Sequence, residues 1–263
     1  MLLKNRIAVV HGGGGAIGGA AAKAFARDGA RVFLAGRSRP GMEAVAADIR
    51  ANGGFAEIAV VDALDEEAVE RHAGSVATKS GGIDIALNAV GVAHVQGTPL
   101  AELSLADFET PVAAYTRTNF LTARAVARHM RGKGVILTLS TPGARMSGVG
   151  FLGNGVASAA VEALSRILAG ELGRSGIRVI CLRPDAIPES VQVSHVRAAF
   201  EGFASRAGMS VDDMLAARAA SGPLLGRFPT LAEIGDFAAF AASDRAGAMT
   251  GAIANLSCGT LVD

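Results

Sequence analysis

Short apolar runs recur along the chain and are separated by longer, alanine-rich stretches. The runs are continuous rather than alternating, which is typical of strands covered on both faces of a sheet. Because parallel strands need a crossover between them, the intervening stretches are predicted to be helices that return the chain to the same edge of the sheet. We predict strands over residues 7–10, 31–35, 56–61, 83–88, 134–140, 178–183 and 252–256.

The helical stretches follow these strands in regular alternation. Glycines at Gly29 and Gly176 come directly after two of them, where a left-handed C-cap suits glycine. The alternation predicts one α/β domain over residues 1–263, built on a doubly wound, seven-stranded parallel sheet with helices on both faces. The main helices are predicted over residues 18–28, 40–52, 66–80, 106–131 and 154–175.

Residues 188–223 depart from the alternation. This stretch is predicted to be helical and follows the carboxyl end of a strand, where ligands bind in open α/β sheets. We interpret it as a lid-like insertion over a ligand site, rich in Phe and Met side chains, with an ordinary packed helix pair as the alternative. His195, within the insertion, is one side chain that would reach a bound substrate.

The composition narrows the classes of function. Lys and Arg total 25 against 24 Asp and Glu, so no basic excess points to nucleic acid. No apolar run approaches the roughly 20 residues needed to cross a bilayer, and no membrane association is expected. Cys181 and Cys258 are isolated, which favours a reduced, cytoplasmic protein. Histidines and acids do not cluster at ligand spacing, so no metal site is expected.

A glycine-rich turn connects the first predicted strand to the first predicted helix. Glycine lets the chain turn sharply, and without a Cβ the backbone leaves room for a phosphate. The helix N-terminus adds unpaired N–H groups and the positive end of its dipole, which favour an anion. This position in a βαβ unit predicts a dinucleotide site rather than a plain turn. The predicted cofactor-binding residues are Gly12, Gly14, Gly15, Ala16, Ile17 and Gly18.

The end of the second predicted strand is where such sites select their cofactor. An NAD site places a carboxylate there to bind the ribose 2′-hydroxyl. This chain has Gly36, Arg37 and Ser38 instead, and a guanidinium binds a phosphate with two hydrogen bonds. We therefore expect NADP(H) to be preferred over NAD(H), with Arg37 and Ser38 in the site. The alternative is that Arg37 and Arg39 are solvated loop charges.

Motifs along the whole chain resemble those of the short-chain dehydrogenase/reductase family. The glycine turn is similar to the family's T-G-x-x-x-G-x-G, with His11 for Thr and Ala16 for the middle Gly. The resemblance implies a Rossmann-type fold and an oxidoreductase that uses a nicotinamide cofactor. It also implies cofactor contacts after the third strand and in variants of the N-N-A-G and P-G-x-I motifs: Asp62, Ala63, Asn88, Ala89, Val90, Pro184 and Ile187.

The family's catalytic positions are altered in this sequence. From Asn154 the chain reads N-G-V-A-S-A-A-V-E-A-L, which resembles the family's Y-x-A-S-K-A-A-V-E-A-L. In this register Asn154 stands for the catalytic Tyr, Ser158 for the Lys, and Thr141 for the Ser thirteen residues earlier, while Asn119 matches the active-site Asn. Asn154 has no proton to exchange near neutral pH, and Ser158 carries no charge. The resemblance therefore implies that binding is kept while the usual proton transfer is impaired, by typically about 10²–10⁴-fold.

Two other side chains are candidates for a replacement proton donor. Tyr115, the only tyrosine, lies one helical turn before Asn119 and so faces the same way, although core packing is the alternative. His94 follows the fourth strand on the ligand side of the sheet, although surface histidines are common in loops and a plain loop histidine is the alternative. Enoyl reductases of the family place Tyr seven residues before Lys, and Phe151 occupies that position here.

Three hypotheses for function stay open at this point. The first is an NADP(H)-dependent oxidoreductase that acts on an apolar carbonyl or enoyl substrate with a non-standard proton donor. The second is a catalytically impaired homologue that binds NADP(H). The third is a structural partner subunit, which the intact glycine turn and Arg37 disfavour.

The resemblance also implies self-association. Family members usually form dimers or tetramers through the fourth and fifth helices. In this chain those helices carry small residues that allow close packing, namely Ala157, Ala159, Ala160 and Ala163. We expect a homo-oligomer, a homotetramer being the family's common form, and a small-molecule substrate.

Overall fold

Seven parallel strands form the centre of the fold. The structure is a computed structural model and describes residues 1–193 and 196–262. Within these ranges the strands are β1 Ile7–His11, β2 Arg31–Gly36, β3 Phe55–Val60, β4 Ile85–Asn88, β5 Gly134–Leu139, β6 Ile177–Pro184 and β7 Ala252–Leu256. They lie in the order β3-β2-β1-β4-β5-β6-β7, and each neighbouring pair is parallel. The predicted sheet is confirmed.

Helices cover both faces of this sheet. Their bounds are α1 Ala16–Arg27, α2 Arg39–Ala51, α3 Glu66–Ser80, α4 Leu105–Ala127, α5 Leu152–Leu172, α6 Pro188–Val193, α7 Val196–Arg206, α8 Val211–Ser221 and α9 Leu231–Ala242. One apolar core lies between the sheet and helices α1, α2 and α9. A second core fills the opposite face beneath α3, α4 and α5. The sheet is therefore buried on both sides, as its continuous apolar strands require.

The direction of chain progression reverses between β1 and β4. From β1 the chain adds β2 and β3 on one side, and then continues from β4 to β7 on the other. His11, the last residue of β1, is in register with Ala35 of β2 and with Asn88 of β4. Three strands thus end side by side, and ligands bind in open α/β sheets at this kind of switch point.

The predicted element bounds differ from the observed ones mainly at helix ends. Helix α4 ends at Ala127 rather than at residue 131, because His129 N donates to Val126 O at 2.9 Å in a closing turn. The last residues predicted for α5 form a separate 3₁₀ turn, Gly173–Ser175. Strand β4 begins at Ile85, since Ile83 N donates to His129 O rather than to a neighbouring strand.

The described part of residues 188–223 is mainly helical. Helices α6, α7 and α8 enclose a small apolar core of their own, which includes Val191, Phe200, Met214 and Leu215. This core is separate from the two cores on the faces of the sheet. His195 lies outside the described residues.

Two buried histidines meet behind the end of β1. His11 is 1 % exposed, and its ring lies 6.0 Å from that of His72 on α3 in an edge-to-face arrangement. Neither ring nitrogen of His11 has a hydrogen-bond partner among the described residues. Burial, and secondarily the charge of His72, lowers the pKa of His11 to about 3, and burial lowers the pKa of His72 to about 4. Both imidazoles are therefore neutral in the folded protein at neutral pH.

This pair predicts a loss of stability on acidification. Below the ordinary histidine pKa of 6.5, the unfolded chain takes up protons that the folded chain excludes until about pH 3 to 4. Stability therefore falls as the pH falls through this window. Between about pH 7.5 and about pH 5, the free energy of unfolding of His11→Leu should fall by about 2 kcal/mol less than that of the wild type. Urea denaturation at both pH values measures the difference.

His129 provides the matched control for this substitution. It is half-buried just after the end of α4, outside the His11–His72 pair, so His129→Leu leaves that pair intact and should keep the acid sensitivity that the pair causes. An equal acid sensitivity in all three proteins would contradict the assignment to His11.

Candidate active site

A cleft of about 700 Å³ opens at the carboxyl ends of the strands. It brings together nearly all of the site residues predicted from the sequence. Gly18 does not line it and lies just beneath the glycine turn instead. The predicted residues that do line it are Gly12, Gly14, Gly15, Ala16, Ile17, Arg37, Ser38, Asp62, Ala63, Asn88, Ala89, Val90, Asn119, Thr141, Asn154, Ser158, Pro184 and Ile187.

The glycine turn packs backbone against backbone. Gly12 has φ +75°, and a Cβ there would lie 2.4 Å from the carbonyl oxygen of Ala89. A Cβ on Gly18 would lie 2.3 Å from the carbonyl oxygen of Gly12. Any side chain at these two positions would separate the turn from helix α1 and from the segment after β4. Because α1 begins at Ala16 with no side-chain cap, its first amides are available to an anion in the cleft.

The two arginines after β2 have different surroundings. Arg37 lines the cleft, whereas Arg39 does not and pairs with Glu43 one turn along α2 at 3.4 Å. Ser38 caps the start of α2 and also lines the cleft. The end of β2 thus offers a guanidinium and a hydroxyl to a ligand, and it carries no carboxylate.

Asn88 fixes the turn after β4. Its side-chain oxygen accepts from Val90 N at 3.0 Å, and its amide donates to Thr122 Oγ1 on α4 at 3.1 Å. These bonds hold Ala89 against Gly12 and so keep the cradle closed. Asp62 plays a similar local role after β3, where its carboxylate accepts from Leu64 N at 3.0 Å.

Thr141, Asn154 and Ser158 form one hydrogen-bonded cluster. Thr141 Oγ1 lies 2.9 Å from Ser158 Oγ, and Asn154 Nδ2 donates to Thr141 Oγ1 at 3.3 Å. Asn154 and Ser158 are one turn apart on α5, which places both on the face that meets Thr141 after β5. The cluster donates and accepts hydrogen bonds, but none of its three side chains titrates near neutral pH.

A buried ion pair lies behind this cluster and was missed from the sequence. Arg183 Nε is 2.9 Å from Glu162 Oε1, and the two side chains are only 2 % and 6 % exposed. Ser140, next to Thr141, donates to the same Glu162 oxygen at 2.9 Å. Two features of the sequence could have indicated this pair. Glu162 comes one helical turn after Ser158 on the buried face of α5, and Arg183 lies inside an apolar strand. Removing one partner would leave a buried charge uncompensated.

Three side chains are organised around the backbone of Val92. His94 Nδ1 lies 2.9 Å from Val92 O, and His94 Nε2 lies 2.8 Å from Gln96 Nε2. The rings of His94 and Tyr115 are 6.1 Å apart. All four residues line the cleft, and Gln96 was not singled out from the sequence.

Asn119 and Tyr115 lie on the same face of α4 and are joined by a hydrogen bond. Asn119 Nδ2 donates to Tyr115 O at 2.9 Å, while the buried Oδ1 of Asn119 has no partner among the described residues. The two side chains therefore lie together on the cleft side of α4, as their spacing predicts.

Helix α7 closes one end of the cleft through glycine contacts. A Cβ on Gly202 would lie 2.0 Å from the carbonyl oxygen of Gln96. Gly97 N in turn donates to Gly150 O at 2.9 Å, and the rings of Phe151 and Phe203 are 4.7 Å apart. The segment after β4, the loop before α5 and helix α7 therefore pack together with no space for an added Cβ.

Asp185 connects the floor of the cleft to the helical stretch. Its Oδ1 accepts from Arg218 on α8 at 3.0 Å, and its Oδ2 accepts from Thr260 Oγ1 at 2.6 Å. Asp185 stands at the glycine of the P-G-x-I motif. The carboxylate of Asp185 therefore links α8 to the segment after β7 through hydrogen bonds that a glycine cannot make.

Among the described residues, no group of three or more His, Cys, Asp or Glu side chains is placed to hold a metal ion. The same residues include no helix that is long and apolar enough to cross a membrane.

Comparison with known proteins identifies the family. The family described as enoyl-(acyl carrier protein) reductase matches residues 14–260. D-threitol dehydrogenase of Mycolicibacterium smegmatis is 32 % identical over 187 residues, which cover 70 % of this chain and 71 % of that protein. The chain belongs to the short-chain dehydrogenase/reductase family. Its curated relatives are named dehydrogenases and reductases, which indicates an oxidoreductase.

Solved structures agree with this assignment. A short chain dehydrogenase from Burkholderia cenocepacia in complex with NADP is 25 % identical, covers 99 % of both chains and has a TM-score of 0.84. A xylitol dehydrogenase bound to NAD⁺ is 25 % identical, covers 98 % of this chain and all of its own, and has a TM-score of 0.87. The family binds nicotinamide cofactors of both kinds.

The contact at Gly202 yields a prediction with a built-in control. Gly170, inside α5, has nothing within 4 Å of its Cβ position, so Gly170→Ala should stabilise the protein by about 0.5–1 kcal/mol through helix propensity. Gly202→Ala should instead destabilise it and expose α7 to proteases, because its Cβ overlaps Gln96 O. Chemical denaturation and limited proteolysis measure both effects. Equal stabilisation by the two substitutions would show that α7 does not pack as described.

Proposed function

We propose that the chain is an NADP(H)-dependent oxidoreductase that acts on an apolar carbonyl or enoyl substrate. The observation that carries this proposal is one continuous cleft with a backbone cradle at one end and a hydrogen-bonding cluster at the other. The cradle is the Gly12–Ala89 contact with the N-terminus of α1, and the cluster is Thr141, Asn154 and Ser158.

The residues of the cradle fit a dinucleotide. A Cβ at Gly12 would collide with the segment after β4, and the first amides of α1 face the space where a pyrophosphate would lie. At the end of β2, Arg37 would pair with a 2′-phosphate, with Ser38 as a further donor. Relatives bind NADP or NAD⁺, so the absence of a carboxylate after β2 is what favours NADP(H) in this chain.

The cluster would orient a substrate carbonyl. When bound, the nicotinamide supplies or accepts the hydride. Thr141 and Asn154 would donate hydrogen bonds to the substrate oxygen and so polarise the carbonyl. In the family register these positions belong to Ser and Tyr, and Ser158 replaces a Lys. Because Asn154 has no exchangeable acid proton, a proton for the oxygen has to come from another group in the cleft.

The walls around the cluster favour an apolar substrate. Met146, Phe151, Val196 and Phe200 line the end of the cleft nearest to α7. Burial of a substrate against such side chains contributes about 25 cal/mol for each Å² removed from water.

An impaired homologue that binds NADP(H) without hydride transfer is the second candidate. The observation that favours it is the Thr141–Ser158–Asn154 cluster itself, which lacks an acid. The two candidates differ in one measurement, which is NADPH oxidation across a panel of aliphatic, aromatic and α,β-unsaturated aldehydes and ketones. Turnover of any of them supports the enzyme, and tight NADPH binding with no turnover across the panel supports the impaired homologue.

Substitution of Arg37 tests the choice of cofactor. Arg37→Ala should weaken NADPH binding by roughly 10–100-fold, which corresponds to the loss of a charge-assisted hydrogen bond of about 1.5–3 kcal/mol, and should leave NADH binding unchanged. Arg39→Ala is the matched control, because Arg39 lies outside the cleft and pairs with Glu43. Fluorescence titration of both cofactors against the three proteins gives the comparison. Equal affinity of the wild type for NADPH and NADH would overturn the assignment.

We also infer that two or more copies associate through α4 and α5. Phe120 is 49 % exposed and Ile167 is 61 % exposed on these helices. Ala157, predicted to contribute to this face, is instead fully buried within the protomer, because it lies on the inward face of α5. The exposed apolar side chains, together with Ala159, provide the contact surface.

A charge placed on this surface should separate the copies. Ile167→Glu is expected to reduce the mass in solution to that of one chain, since a carboxylate would be buried unpaired. Val60→Glu, at an exposed position on the edge strand β3, should leave the mass unchanged. Light scattering during gel filtration measures both, and a wild type with the mass of one chain would contradict the inference.

A further inference from the structure

We propose that Tyr115 donates the proton to the substrate oxygen, in place of the residue at position 154. This inference rests on the function proposed above. It assigns the acid to α4 rather than to α5, and it requires that the hydroxyl of Tyr115 face the same space as Asn154 and Thr141.

The titratable side chains that line the cleft leave few candidates. Asp185 is held by Arg218 and Thr260, and an arginine does not lose its proton in proteins. His11 is buried against His72, and burial keeps its imidazole without a proton to donate at neutral pH. Arg37 follows β2 and Asp62 follows β3, so both lie towards the other end of the cleft from Thr141, which follows β5. His94 and Tyr115 remain.

His94 is not arranged as an acid. Val92 O only accepts hydrogen bonds, so the ring must donate from Nδ1 at 2.9 Å. Nε2 then carries the lone pair and accepts from Gln96 Nε2 at 2.8 Å. Burial lowers the pKa of His94, which keeps it neutral with both nitrogens engaged. Its role is to fix the loop that carries Val92.

Helix packing directs Tyr115 towards the catalytic cluster. Pro111, Tyr115 and Asn119 are spaced four residues apart and share one face of α4. At the first of these, Pro111 Cγ lies 3.2 Å from the Cβ position of Gly153, the residue before Asn154. At the last, Asn119 lines the cleft. Tyr115 lies between these two contacts and lines the same cleft.

The hydroxyl of Tyr115 keeps its own proton available. Burial raises the pKa of Tyr115 above its ordinary value, and this effect outweighs the opposite effect of the Val92 backbone. The phenol is therefore protonated over the whole neutral range.

The proposed step balances for a carbonyl substrate. Hydride from the nicotinamide forms the new C–H bond, the C=O π electrons move to oxygen, and the Tyr115 O–H bond breaks to form the alcohol O–H. The oxidised nicotinamide and the phenolate are the other products, and the phenolate regains a proton from solvent. Oxidation of an alcohol would need the phenolate first, so the raised pKa favours reduction at neutral pH.

A spectroscopic titration tests the placement without any substrate. Tyr115 is the only tyrosine and the chain has no tryptophan, so phenolate absorbance reports on this side chain alone. The positive charge of the oxidised nicotinamide ring should lower the ionisation midpoint by about one pH unit or more relative to the NADPH complex, if the hydroxyl lies within about 6 Å of the ring. Tyr115→Phe provides the optical blank for each complex.

The outcomes separate this inference from the function on which it rests. Equal midpoints in the NADP⁺ and NADPH complexes would overturn the role of Tyr115 and leave cofactor binding intact. Failure of both cofactors to bind would overturn the proposed function itself. A lower midpoint with NADP⁺ alone supports the assignment.

Turnover gives a second readout for any carbonyl compound that the wild type reduces. Tyr115→Phe should lower kcat by roughly 10²–10⁴-fold with little change in the Kd for NADPH. Thr116→Val is the matched control, since it also deletes one hydroxyl from α4, but that hydroxyl donates to Val112 O within the helix and does not line the cleft. A Tyr115→Phe enzyme with the kcat of Thr116→Val would contradict the proposal.

Discussion

The structure depends on the close approach of two backbone segments at the point where the sheet reverses direction. Gly12 and Ala89 follow neighbouring strands, and no side-chain atom fits between them. This contact places the N-terminus of α1 over the end of β1 and opens the cleft beside it. The binding site is thus a consequence of sheet topology, and the side chains around it determine what is bound and what is done to it.

Much of the fold follows from patterns in the sequence. Continuous apolar runs and glycines at turns predict the sheet and its order of elements, because both reflect local geometry and burial on two faces. The early end of α4 is a local turn between Val126 and His129, but no glycine or proline over residues 128–131 marks it in the sequence. The burial of His11 against His72 joins residues far apart in the chain, which no local pattern predicts.

Some residues of the candidate site were predicted from the sequence, and others were not. Motif spacing predicted that the glycine turn, Arg37 and the Thr141–Asn154–Ser158 cluster share one cleft, because the turn, Arg37 and Thr141 follow strand ends and Asn154 and Ser158 lie in the first turns of α5. The Glu162–Arg183 pair and the Val92–His94–Gln96 arrangement were not predicted, since each depends on side-chain packing between separate elements.

A crystal structure of the protein grown with NADPH would show directly where the dinucleotide lies. We expect the pyrophosphate on the amides at the start of α1, beside Gly12, and the 2′-phosphate against Arg37. A cleft that stays closed to the dinucleotide at millimolar concentration, or a dinucleotide bound elsewhere on the protein, would contradict this expectation.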